Sequence, residues 1–117
     1  MTETFRDLVA WQKSKTLAKD IYLATAAFPK EETYGLMSQM RRAVVSVPSN
    51  IAEGKGRGSR KDYCHFILQA RGSLFELETQ VELAVDLGYL VRERAKPLLN
   101  QCDELARILN GLIRSLQ

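Results

Sequence analysis

The stretch SRKDYCHFILQARGSLFELETQVELAVDLG, Ser59 to Gly88, decides the fold. Within it Tyr63, Ile67, Ala70, Leu74, Leu77, Val81, Ala84 and Gly88 alternate steps of four and three without a break, the spacing that lines up one face of an α-helix. Ser59 is a good N-cap residue, Asp62 stands where a capping-box carboxylate belongs, and Gly88 can supply a left-handed C-terminal turn. At 1.5 Å per residue, a helix from Ser59 to Leu87 is about 43 Å long. A rod of that length with an apolar stripe needs partners to cover it.

The same period recurs on both sides. Upstream, Ala10, Ser14, Leu17, Ile21, Ala24 and Phe28 mark a first helix, with Asp7 near its start and Pro29 as its stop. Leu36, Met40, Val44, Val47 and Ile51 mark a second, from about Thr33 or Tyr34 to Glu53. Pro48 lies inside it and predicts a bend between Val44 and Pro48. Downstream, Leu98, Cys102, Leu105, Leu109, Leu112 and Leu116 mark a fourth helix that starts between Val91 and Pro97. No period-two run argues for a strand. Short connections favour antiparallel neighbours, so the expected architecture is all-α, an antiparallel up-down-up-down four-helix bundle, with residues 1–117 as one domain.

Composition agrees with a folded chain: 117 residues, 45% hydrophobic and 26% charged, with a net charge of +3. No apolar run is long enough to cross a bilayer, and the start MTETFRDLVAW carries acids instead of the basic-then-apolar order of a signal peptide. The expected location is cytoplasmic, with no membrane partner. Cys64 and Cys102 fall at helical positions and read as reduced packing residues. Helix 4 also carries Leu99, Ala106, Ile108 and Ile113, and helix 1 adds Trp11, a stripe wider than a closed bundle seam needs. Either self-association buries this surplus, or a globular bundle covers it within one chain.

Charge is segregated. From Arg41 to Arg71 there are seven bases against two acids, Glu53 and Asp62, whereas Gly72 to Leu90 holds Glu76, Glu78, Glu82, Asp86 and no base. Helix 3 thus begins basic and ends acidic, opposite to the preference of the helix dipole. Between helices 2 and 3, SNIAEGKGRGSRKDY places Gly54, Gly56 and Gly58 among Lys55, Arg57, Arg60 and Lys61. It matches neither a P-loop nor GxGxxG, and neither has the strand it requires. Gly54 and Gly58 are expected at the helix boundary. Ser46, Asn50 and Glu53 form a polar strip leading into the turn, either a hydrogen-bonded lock on the bundle or a ligand contact. Glu53 and Arg57 have the favourable spacing for an ion pair. A single histidine, His65, without GxSxG, HExxH or a paired ExxH, offers no catalytic or metal constellation; no enzyme, metal or cofactor is expected.

The run RRAVVSVPSNIAEGKGRGSRKDYCHFILQARGSLFELETQVELAVDLGYL, with FRDLVAWQKSKTLAKDIY before it and LARILNGLIRSL after it, resembles the four-helix-bundle family that includes proteins encoded in intervening sequences of bacterial 23S ribosomal RNA genes. The resemblance spans nearly the whole chain and is carried by SNIAEG, Arg57, ARGS and ELETQ. It implies an antiparallel four-helix bundle, often a homopentamer. It also implies a link to ribosomal RNA inferred from gene position, and a relation to basic nucleic-acid-binding accessories of retroelement reverse transcriptases. No catalytic set comes with it.

Two functions are therefore expected to compete. In the first, a nucleic-acid-binding module, RNA or DNA with RNA preferred, engages phosphates through Arg57, Arg60 and Lys61, supported by Arg41, Arg42 and Lys55. In the second, the bundle is a protein–protein scaffold whose basic turn meets an acidic partner. Both accommodate a homo-oligomer, with the pentamer supplied by the resemblance alone.

Overall fold

Short links dictate how the helices meet. The computed structural model describes residues 3–117 and contains four α-helices: α1 Val9–Thr25, α2 Leu36–Gly56, α3 Arg60–Asp86 and α4 Arg92–Leu116. Only three residues separate α2 from α3 and five separate α3 from α4, so each pair must lie antiparallel. α1 packs on α2 and α4, which closes an up-down-up-down bundle measuring 45 × 23 × 23 Å. The stripes read from the sequence form its axis: Leu17, Ile21, Met40, Val44, Val47, Ile51, Ile67, Leu74, Leu77, Val81, Leu105 and Leu109 are all inaccessible to solvent.

The apolar surplus on α1 and α4 is largely consumed within the chain. Ile113 is buried, and Trp11, Leu99, Ala106 and Ile108 pack half-buried against the core. Buried hydroxyls are satisfied by their own helix: Ser14 Oγ donates to the Trp11 carbonyl at 2.8 Å and Thr25 Oγ1 to that of Ile21 at 2.8 Å.

Helix ends differ from the sequence expectation where distant groups set them. Asp7 belongs to a 3-10 turn, Phe5–Asp7, where it and Thr4 form a reciprocal capping box, and α1 starts afterwards at Val9. α1 stops at Thr25; Phe28 has left the helix yet stays buried, its ring 5.5 Å from that of Tyr89. α2 begins at Leu36, not at Thr33 or Tyr34, because the Glu32 carboxylate accepts the Leu36 N–H at 2.8 Å and the Tyr89 hydroxyl at 2.9 Å. α2 runs through Pro48 without a break and continues past Glu53 to Gly56; α4 likewise contains Pro97 and starts at Arg92. Ser59 caps α3 by accepting the Asp62 N–H at 3.1 Å, the forward half of a capping box.

Of the turn glycines, Gly58 (φ 85°) and Gly88 (φ 79°) take the left-handed conformation that ends a helix. Gly54 does not. It is buried inside α2, and a Cβ there would lie 2.8 Å from Phe66 Cβ, so it is a point of close approach between α2 and α3. Cys102 is a buried free thiol that burial, with help from nearby Glu78 and Asp103, pushes up to about 12, and Cys64 is a half-buried free thiol. Both positions agree with packing residues.

Two outcomes follow for stability. Gly54→Ala forces α2 off Phe66 and lowers unfolding free energy by about 1–3 kcal/mol in denaturant titration; an unchanged midpoint would contradict the close approach. Glu32 is held below its ordinary value, chiefly by the Leu36 N–H and then by the Tyr89 hydroxyl. Its folded pKa thus lies below the unfolded one, so its contribution is present above the unfolded value and fades as pH falls through the folded one. The stability gap between the native protein and Glu32→Gln therefore narrows on acidification; a gap that is constant with pH contradicts it.

Candidate nucleic-acid interface

The six bases singled out in the sequence do not form one patch. Arg42 and Arg57 are fifteen residues apart on α2 and its C-cap, about 22 Å at the helical rise. Arg41 and Arg42 therefore stand near the α1–α2 end, and Lys55, Arg57, Arg60 and Lys61 at the α2–α3 end. Arg41 is structural: its Nε donates to Thr25 Oγ1 at 3.0 Å, a second nitrogen donates to the Tyr22 carbonyl at 3.1 Å, and the guanidinium lies 4.4 Å from the Tyr22 ring centre. It secures the last turn of α1, whose carbonyls lack intrahelical partners. Arg42 is exposed and borders two surface depressions.

At the α2–α3 end the bases are mixed with aromatic rings. Lys55 pairs with Glu3 at 2.9 Å and sits 5.8 Å from the Tyr63 ring centre. Arg57 lies 5.0 Å from the Phe66 ring centre and pairs with Glu53 at 3.2 Å, realising the expected four-residue spacing. Arg60 donates to the Ser115 carbonyl at 2.6 Å, ties α3 to the last turn of α4, and keeps its other donors outward. Lys61 is exposed and has no ion-pair or hydrogen-bond partner among the described residues. The rings of Tyr63 and Phe66 were not singled out as site residues in the sequence. Their interleaving with bases in GRGSRKDYCHF is the signal that could have found them.

The polar strip crosses between helices. Ser46 Oγ lies 2.9 Å from Ser73 Oγ, and Asn50 Nδ2 donates to the Ser46 carbonyl at 2.8 Å and to its hydroxyl at 2.9 Å. All three are partly buried: Ser46 and Ser73 bridge α2 and α3, Asn50 supports Ser46 from within α2, and Glu53 stays exposed as the partner of Arg57. A separate groove of about 620 Å³ opens at the α1–α2 end, between Tyr22, Tyr34, Met37, Arg42 and Val45. Periodicity had no means of revealing it, since its residues come from two helices and the link between them. Among the described residues no group of His, Cys, Asp and Glu could hold a metal, and no helix is long and apolar enough to cross a membrane.

A bundle of four helices with SNIAEG running into a basic turn matches the family model of the 23S rRNA-intervening sequence protein over residues 6–111. This chain belongs to that family. A crystal structure of a protein of unknown function from the S23 ribosomal protein family of Bacteroides thetaiotaomicron VPI-5482 has the same fold. Its TM-score is 0.81 at 25% identity, over 90% of this chain and 98% of that one. No curated protein matches. Membership in the 23S rRNA-intervening sequence protein family goes with a non-catalytic protein.

Because Ser46 and Asn50 serve packing, Ser46→Ala should lower unfolding free energy by about 1–2 kcal/mol, with Asn50 losing one acceptor. Filter-binding affinity for RNA should stay within twofold; a large affinity loss at unchanged stability would make the strip a ligand contact.

Proposed function

We propose that this protein is a non-enzymatic, homo-oligomeric bundle of the cytoplasm that binds nucleic acid, RNA in preference to DNA, through the end where α2 turns into α3. The observation that carries the reading is the condition of the bases there. Lys61 is unpaired among the described residues, and Arg57, resting on the Phe66 ring, is paired with Glu53 in a contact about half exposed on both sides. Exposed pairs of this kind are worth about 0–1 kcal/mol, so a phosphate can replace the carboxylate. The N-terminus of α3 lies between the same residues, and its dipole adds a partial positive charge. The family's connection with 23S rRNA intervening sequences supports RNA as the partner.

A net charge of +3 is modest for a single chain that binds RNA. Repetition compensates. Closed rotational symmetry places every subunit's α2–α3 end on one rim, where several weak sites act together. The family resemblance supplies five as the number of copies. The scaffold reading keeps one specific support: several large apolar side chains, Tyr34, Phe75 and Leu83 among them, are exposed in the single chain.

The test separates phosphate contacts from stability. Arg57→Ala with Lys61→Ala leaves the Arg60–Ser115 tie in place and should reduce the slope of log K against log salt for RNA by about 1.5. No binding to a mixed RNA pool at low salt, or a slope that the double variant leaves unchanged, overturns the proposal.

A further inference from the structure

One feature of α3 has no use within a single chain. Gly72 lies in the middle of the helix, where glycine weakens it, and a Cβ there would meet nothing within 4 Å. It has neither positive φ nor a close neighbour to account for it. The face around it is apolar and outward: Leu68, Phe75 and Leu83 follow at helical spacing and are 38%, 48% and 45% exposed. A small residue between large exposed apolar ones suits the close approach of another backbone.

The groove at the α1–α2 end is complementary. Tyr34, 96% exposed, together with Met37 and Val45, offers apolar walls, and Arg42 has no ion-pair partner among the described residues. The α3 surface carries Asp86 beside Leu83 and no base of its own from Gly72 to Leu90; Glu82 is already paired with Arg92 at 2.9 Å, and Arg71 lies 5.9 Å from the Phe75 ring centre, which leaves Asp86 to meet Arg42. Its height also matches. The Ser46–Ser73 hydrogen bond sets those residues level, so counting outward along the antiparallel pair puts Phe75 level with Val44 and Leu83 level with Leu36. The groove occupies that same stretch of α2. Both surfaces point away from the bundle axis, so one chain cannot join them to each other.

From this we infer that the outward face of α3 around Gly72, Phe75 and Leu83 docks into the Tyr34–Arg42–Val45 groove of a second copy of this chain. The inference rests on the homo-oligomeric part of the proposed function and names its interface. The contact is heterologous, one surface meeting a different one. Because the two surfaces lie at one height along the bundle, the contact suits a closed ring of copies arranged about an axis parallel to it. All basic α2–α3 ends then fall on one rim, opposite the contacts.

Light scattering after size exclusion at micromolar concentration tests the pairing. The native chain should give about five times 13.2 kDa. Val45→Glu, on the groove, and Phe75→Glu with Leu83→Glu, on α3, should each give the single-chain mass with unchanged helical circular dichroism. Each variant retains one intact surface, so mixing the two should give a complex of one copy of each. Gly72→Leu, which has open space in the single chain, should also dissociate the oligomer. A native chain at 13.2 kDa throughout a hundredfold dilution removes the ring and this interface together. Native mass in Val45→Glu or Gly72→Leu, or a mixture that stays at single-chain mass, removes only this pairing and leaves self-association and the RNA salt slope standing.

Discussion

The close approach of α2 to α3 at Gly54 sets the register on which the other features depend. A three-residue link with Gly58 in the left-handed conformation reverses the chain, and the bare Cα of Gly54 lets Tyr63 and Phe66 come against α2. The Ser46–Ser73 hydrogen bond fixes the same pairing two turns further along. With that register, the basic start of α3 lies beside the basic end of α2, and the acidic half of α3 lies level with the groove at the other end. A register change of one turn would separate Arg57 from Phe66 and break the Ser46–Ser73 hydrogen bond. Charge segregation in the sequence becomes segregation in space because these two helices cannot slide.

The buried stripes were legible because burial in a bundle follows the helical period, and every residue of the four-three alternation in α3 from Ile67 to Ala84 is inaccessible. Ends were less so. Leu36 starts α2 because Glu32 and Tyr89, more than fifty residues apart, share a hydrogen bond, and no local signal contains that distance. Gly54 looked like a boundary residue because glycine near a turn usually is one; only the position of Phe66 shows that it serves close packing. In the sequence Pro48 reads as a bend inside the second helix and Pro97 leaves the start of the fourth open between Val91 and Pro97; both prolines lie inside continuous helices, and α4 starts at Arg92.

The candidate site was legible as a composition and not as a place. Arg41 and Arg42 are close in sequence to the turn, but a helix converts sequence distance into length, and they finish near the opposite end of the bundle. The structure also divides the arginines by task. Arg41 satisfies the end of α1 and Arg60 the end of α4, because the last carbonyls of a helix need donors from elsewhere. What is left for a phosphate is a smaller set, Arg57 and Lys61 with the outward donors of Arg60, flanked by rings on which guanidinium and ammonium groups rest.

The three-residue link also orders the assembly of the bundle in time. Closing a loop costs more entropy as it lengthens, and contacts between sequence neighbours form first. The α2–α3 hairpin closes the shortest loop and contains its own polar lock, so it is the least costly tertiary unit to form. The seam between α1 and α4, tied by Lys13 to Glu104 and Gln101 to Asp20, joins residues about eighty to ninety apart in sequence and closes a far longer loop. The basic turn is therefore shaped early in folding, before the seam between α1 and α4 closes the bundle.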